Sequence, residues 1–116
     1  MSHRMDAGFE HLREAMAQVF AERIEFPLGC LVTVLKAKMT ANTAHAAFTL
    51  SVLPTSKEAD VRSVLDHSLH ELKDGLAKHV RLRRIPRLHF MFSRAEEKAE
   101  EMERLINSLD TGSPSI

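Results

Sequence analysis

The sequence predicts an α+β fold, a three-stranded sheet with helices packed on one face. Three observations carry this reading. Apolar residues recur at helical spacing through the first 25 residues, two strand-like runs follow with a three-residue turn between them, and a second helical stretch leads into a third, alternating run. A hairpin followed by a helical crossover to one more strand gives a small sheet whose helices share a face.

Met5, Phe9, Leu12, Met16, Val19, Phe20 and Ile24 form the apolar stripe of an amphipathic helix over residues 5–25. Phe26-Pro27-Leu28-Gly29 ends it, because proline removes a donor and disfavours helix at the residue before it. Residues 30–39, CLVTVLKAKM, read as a strand with Leu31, Thr33, Leu35, Ala37 and Met39 on one side and Val32, Val34, Lys36 and Lys38 on the other. After a turn at Thr40-Ala41-Asn42, Ala44, Ala46, Phe48, Leu50 and Val52 share a face of the next strand. Strands joined this tightly pair antiparallel.

Pro54 breaks the second strand, and Thr55 with Glu58 makes a capping box for a new helix. Val61, Val64, Leu65, Ser68, Leu72 and Leu76 carry that helix to about His79. Gly75 lies inside it at a cost of about 1 kcal/mol relative to alanine, which predicts a kink or break there. Arg-Ile-Pro then leads into RLHFMF, a third strand with Leu88, Phe90 and Phe92 alternating against Arg87, His89 and Met91. Ser93 with Glu96 forms a second capping box, and Ala95, Ala99, Met102, Ile106 and Leu109 a final helical stripe. Residues 1–109 are read as one domain and 110–116, DTGSPSI, as a disordered tail.

The 116 residues suit one domain of ordinary globular composition, 44% hydrophobic and 28% charged. No apolar run approaches the roughly 18 residues that span a bilayer, and the first residues lack the apolar stretch of a signal peptide, so a cytoplasmic protein with no membrane association is expected. The single Cys30 sits in an apolar run, where cysteine behaves as a small hydrophobe rather than a nucleophile. Neither a nucleophile elbow nor a Gly-rich phosphate loop is present. The chain is therefore expected to be no enzyme, to need no cofactor, and to be monomeric when free.

Charge is the informative feature. Sixteen Lys and Arg balance sixteen Asp and Glu, yet Lys78, Arg81, Arg83, Arg84 and Arg87 stand between Leu76 and Phe92 with no acid among them, while Glu96, Glu97, Glu100, Glu101 and Glu103 follow close behind. Charge sorted this way makes one side of a neutral molecule positive, a footprint for a polyanion. Arginine suits phosphate because its planar fork donates two hydrogen bonds to one group. Lys36 and Lys38, together on the first strand, extend the patch. No aromatic side chain stands on the exposed side of a strand to stack on bases, which favours recognition of backbone and shape. The structural alternative is a solvated edge, its arginines paired with the late glutamates and guarding the third strand against aggregation.

The run LAKHVRLRRIPRLHF resembles the ribosome-binding factor A family, in which a helix end of the type LGK is followed by R-L-R and an x-x-P-x-L-x-F strand. FPLGCLVTVLKAKMTANTAHAAFTLSVL resembles the same family's P-x-hydrophobic-Gly strand opening, its V-T-V core and its second strand ending in S-V-L. The likeness spans roughly residues 5–109. It implies a KH-like fold of the second type and a nonenzymatic factor that binds the small (30S) ribosomal subunit and 16S rRNA, assisting late maturation including the 5′ end. Where the family has an alanine-centred A-x-G kink between helices, this chain has Ser68-Leu69-His70, so either the kink has moved toward Gly75 or the chain diverges there. The RNA-binding residues so indicated are Lys78, Arg81, Arg83, Arg84, Arg87, Lys36 and Lys38.

Two other classes compete. His67 and His70, three apart on a helix with His79 and His89 nearby in sequence, suggest metal ligation, but no H-E-x-x-H, no cysteine partner and only Asp66 as a carboxylate accompany them. A protein–protein module using the Met- and Phe-rich first helix or the hairpin edge is the other. Its binding would resist salt, whereas rRNA binding would weaken steeply.

Overall fold

A computed structural model describes residues 2–93 and 104–109, the side chains of 2–8 excepted. Helix α1 (Ser2–Arg23) is followed by strands β1 (Leu31–Met39) and β2 (His45–Leu53), a 3-10 turn (Thr55–Lys57), helices α2 (Glu58–His67) and α3 (Leu69–His79), and strand β3 (Arg87–Phe92). Residues 104–109 are helical. The capping box at Ser93, the whole late acidic run from Glu96 to Glu103, and the 110–116 tail lie outside the described residues.

The sheet runs β1-β2-β3, with β1 antiparallel and β3 parallel to the central β2. Ala46, Phe48, Leu50 and Val52 of β2 and Leu88, Phe90 and Phe92 of β3 face the helices and are buried. Period-two alternation thus delivers the face expected of both strands. Phe48 stacks on Phe90 at 5.6 Å between ring centroids, and Phe20 of α1 reaches both Phe90 and Phe26. Leu12, Ala15, Met16 and Val19 complete the α1 contribution, and Val61, Leu65, Leu72 and Leu76 that of α2 and α3. Cys30 is half-buried against the rim of this core.

Strand β1 departs from simple alternation. A bulge between Val34 and Lys36 leaves Leu35 without a partner on β2, so Val32 and Val34 point inward before it and Ala37 and Met39 after it. Strict alternation that buried Val34 would also have buried Lys36 and Lys38, and an unpaired buried ammonium is far costlier than one extra residue in the strand. The bulge instead turns both lysines outward, opposite Thr49 and Ala47. Leu31 and Leu35 become exposed as a result. Arg13 donates from Nη1 to the Val34 carbonyl at 3.3 Å, satisfying an acceptor beside the bulge.

Two local expectations about the helices are corrected. Thr55 makes no side-chain cap, because the 3-10 turn it opens, closed by Lys57 N donating to the Pro54 carbonyl, sets the start of α2 at Glu58. The helical break falls at Ser68 (φ −115°, ψ 17°), not at Gly75. Serine is a poor helix former and tolerates this backbone. The break therefore coincides with the Ser68-Leu69-His70 position, with Leu69 and His70 exposed on the first turn of α3.

Gly75 stays helical and buried because α1 crosses α3 there. A Cβ at position 75 would lie 2.8 Å from Val19 Cγ1 and 3.1 Å from Arg23 Cδ. Gly75→Ala gains up to about 1 kcal/mol of helix propensity but forces two packed helices apart, at about 1–3 kcal/mol. Net destabilisation is the expected outcome, measured as a lower midpoint in chemical denaturation. A raised midpoint would show that the interhelical contact relaxes freely.

Candidate nucleic-acid interface

The basic segment joins α3 to β3 at the end of the sheet occupied by the β1–β2 turn. Helix α3 stops at Val80, whose extended backbone (φ −133°, ψ 151°) still donates from its N–H to the Leu76 carbonyl. Residues 81–86 cross without regular structure until Arg87 N bonds the Ala44 carbonyl at 2.8 Å and opens β3. Val80, Leu82 and Ile85 are half-buried and Pro86 fully buried, while Arg81, Arg83 and Arg84 are exposed. Apolar anchors thus hold the crossing down and leave three guanidinium groups in solvent.

The neighbouring turn is internally tied. Thr40, 2% exposed, donates from Oγ1 to Asn42 Oδ1 at 2.7 Å, and Ala44 N donates to the same oxygen at 3.0 Å. Thr43 adopts a left-handed φ of 57°. Arg84 Nη2 donates to the Asn42 carbonyl at 3.4 Å, linking the arginine segment to the hairpin.

The expected cations differ in how far they are neutralised. Lys78 is paired with Asp74 at 3.4 Å on its own helix. Arg13 pairs with Glu10 and Glu14, and Arg23 with Glu71 and Asp74 at 3.0 and 2.8 Å. The Arg23 and Lys78 bonds hold the Asp74 carboxyl below its usual range. By contrast, no described residue is an ion-pair partner of Arg81, Arg83, Arg84 or Arg87. Lys36 and Lys38 lie on the outer face of β1, and Arg87 begins the same face of β3, across Ala47 and His45 of β2. The Ser68 kink lies at the opposite end of α3 from these cations.

Nothing local in the sequence sets one stripe residue beside the patch apart from its buried neighbours. Phe9 sits on the α1 stripe with its buried neighbours Leu12 and Met16, yet it is only half-buried and lines two clefts. One, of about 370 Å³, runs to the 40–43 turn and to Val80, Arg81 and Leu82. The other, of about 350 Å³, runs along Leu35, Lys36, Ala37 and Lys38. Helical periodicity alone cannot separate a stripe residue at the rim from one at the centre.

The histidines give no metal constellation: among the described residues no group of three His, Cys, Asp or Glu is placed to hold an ion. His67 instead bonds the Ser63 carbonyl through Nδ1, and His79 meets Glu22 at 3.0 Å. His45 and His89 pair across β2 and β3, Nδ1 to Nε2 at 3.0 Å, on the face that carries Arg87. One nitrogen of that pair donates and the other accepts. Burial, then the neighbouring His45 and Arg87, push the His89 pKa below its ordinary 6.5.

A depressed histidine pKa means that the unfolded chain takes up the proton first. Stability attributable to His89 is therefore full above about pH 6.5 and falls as the pH drops from there through the lower folded value. Denaturation midpoints measured at pH 7.5 and pH 5.5 should differ more for the wild type than for His89→Gln. Equal differences would remove the pair from the pH response.

Comparison with known proteins identifies the family and the fold. A sequence-family model described as Ribosome-binding factor A matches residues 4–106. Ribosome-binding factor A of Verminephrobacter eiseniae is 31% identical over 105 residues, covering 90% of this chain and 86% of that protein. The crystal structure of ribosome-binding factor A from Thermus thermophilus superposes with a TM-score of 0.66 at 26% identity, over 79% of this chain and 98% of that one. A Thermus thermophilus ribosome-binding factor A homology model, fitted into a cryo-EM map of its 30S complex, matches at 29% identity and TM-score 0.57, over 74% of this chain and 96% of the other. With a KH-like fold and a family match over nearly its whole length, this chain belongs to the ribosome-binding factor A family.

Proposed function

We propose that the protein binds the small ribosomal subunit by contacting 16S rRNA and assists late maturation of that RNA, including processing of its 5′ end, by stabilising an RNA conformation. The observation that carries this reading is the grouping of Arg81, Arg83, Arg84 and Arg87 at one end of the sheet with no carboxylate partner among the described residues. Family membership and the 30S complex formed by the Thermus thermophilus relative support the choice of partner. RNA affinity rests largely on phosphate neutralisation, which this cluster is built to supply.

The protein acts without catalysis and in the cytoplasm, where ribosomes assemble. No helix among the described residues is long and apolar enough to cross a membrane. Lys36 and Lys38 extend the contact surface, Lys78 contributes less because Asp74 already engages it, and the Ser68-Leu69-His70 break makes a separate contact. A second reading has its own support: Leu28, Leu31, Leu35 and Leu53 are exposed and give a protein partner apolar area.

Sedimentation with purified small and large subunits at low and high salt distinguishes the two. Salt-sensitive comigration with small subunits is expected, and Arg81→Glu, Arg83→Glu, Arg84→Glu together should abolish it while circular dichroism stays unchanged. The corresponding triple alanine variant should flatten the dependence of log affinity on log salt by about two to three units. Comigration that survives the charge reversal, or that ignores salt, would move the contact to the leucine patch.

A further inference from the structure

The larger cleft beside Phe9 has a chemistry that phosphate contacts alone leave unused. Phe9, Leu12, Met39, Val80 and Leu82 give it apolar walls, and Arg81 lines it as an exposed guanidinium with no ion-pair partner among the described residues. A lone phosphate needs donors and charge, for which carbon walls are useless. A flat, weakly polar ring joined to an anion needs both, and a nucleotide of unpaired RNA is such a group. Single-stranded RNA is commonly held by an aromatic face against a base together with cations on the backbone.

We propose that this cleft receives one unstacked base of single-stranded rRNA, laid against Phe9, with Arg81 holding the adjoining phosphate. The proposal rests on the rRNA-binding reading above and gives that surface its single-strand subsite. The volume of about 370 Å³ accommodates one base with its sugar. Charge complementarity names the occupant: Arg83 and Arg84 continue the cationic line beyond Arg81 along the crossing to β3. Besides Arg81, the polar lining includes His11, whose ring can donate or accept according to its tautomer and so selects no single base edge. The Thr40 hydroxyl is donated to Asn42 Oδ1 and the Thr43 hydroxyl to the Asn42 carbonyl, so neither donor is free for a base edge. The subsite is accordingly tolerant of sequence.

The test is photocrosslinking of the full chain to a single-stranded octanucleotide bearing 5-iodouridine, followed by mapping of the modified peptide, with affinities from fluorescence anisotropy. The crosslink is expected at Phe9. Phe9→Leu, which keeps apolar packing, should weaken octamer binding about tenfold, and Phe9→Trp should retain it, since a stacked base is worth about that factor. Adenine and uracil octamers should bind within a few-fold of each other, and a duplex of the same length should compete poorly. Crosslinks only at other residues, equal binding by Phe9→Leu, or no octamer binding by the wild type would overturn the proposal. Sedimentation of the same proteins with small subunits separates the two readings. Comigration of the wild type alongside a failed octamer result removes only the base subsite, whereas a Phe9 crosslink without comigration keeps the subsite and removes the ribosomal partner.

Discussion

The close crossing of α1 over α3 at Val19 and Gly75 is the constraint from which the placement of the rest follows. With no side chain at position 75, α1 beds against α3, and Arg23 reaches Glu71 and Asp74 while His79 meets Glu22. These contacts fasten the C-terminal half of α1. Its N-terminal half then lies beside β1 and the crossing to β3, and Phe9 and Arg13 fall next to the bulge and the basic segment. A helix crossing set by one glycine therefore fixes the distance between core and candidate site. Both helices cover one face of the sheet, leaving the other to Lys36, Lys38, Arg87 and the histidine pair.

Zero net charge conceals two kinds of cation. Arg13, Arg23 and Lys78 are engaged in internal ion pairs between or within helices. Pairs this exposed add little stability, but they withdraw those charges from any ligand. Arg81, Arg83 and Arg87 have no such partners among the described residues, so no internal ion pair there withdraws their charge although the sum is nil. For a partner approaching from solution, the local field matters more than the total.

The sequence was most legible where one physical rule acted alone. β3 spans Arg87–Phe92 as alternation and the preceding proline imply, and β2 buries the expected Ala46, Phe48, Leu50 and Val52. It was least legible where two rules competed. In β1, the side that buries Val32 and Val34 would by strict alternation also bury Lys36 and Lys38, and the bulge at Leu35 resolves that conflict by a means no periodicity shows. At Gly75, low helix propensity suggested a break, but the packing of Val19 required a glycine within an unbroken helix. The arginine cluster was plain in the chain, whereas Phe9 depended on where α1 ends up beside the turn. A residue contributed by a distant element carries no local signal.

The alternation of anchored apolar residues with exposed arginines through residues 80–87 has a further consequence for the energetics of association. Fixing one backbone residue costs about 1–2 kcal/mol in conformational entropy. Here Val80, Leu82, Ile85 and Pro86, with the Arg84 bond to Asn42, meet that cost during folding. The segment reaches its ligand already ordered, so little backbone freedom is lost on docking. Affinity is thereby coupled to the integrity of the domain: loosening the anchors would weaken binding with every charge still in place, because the ordering of the arginines would then fall on the binding step.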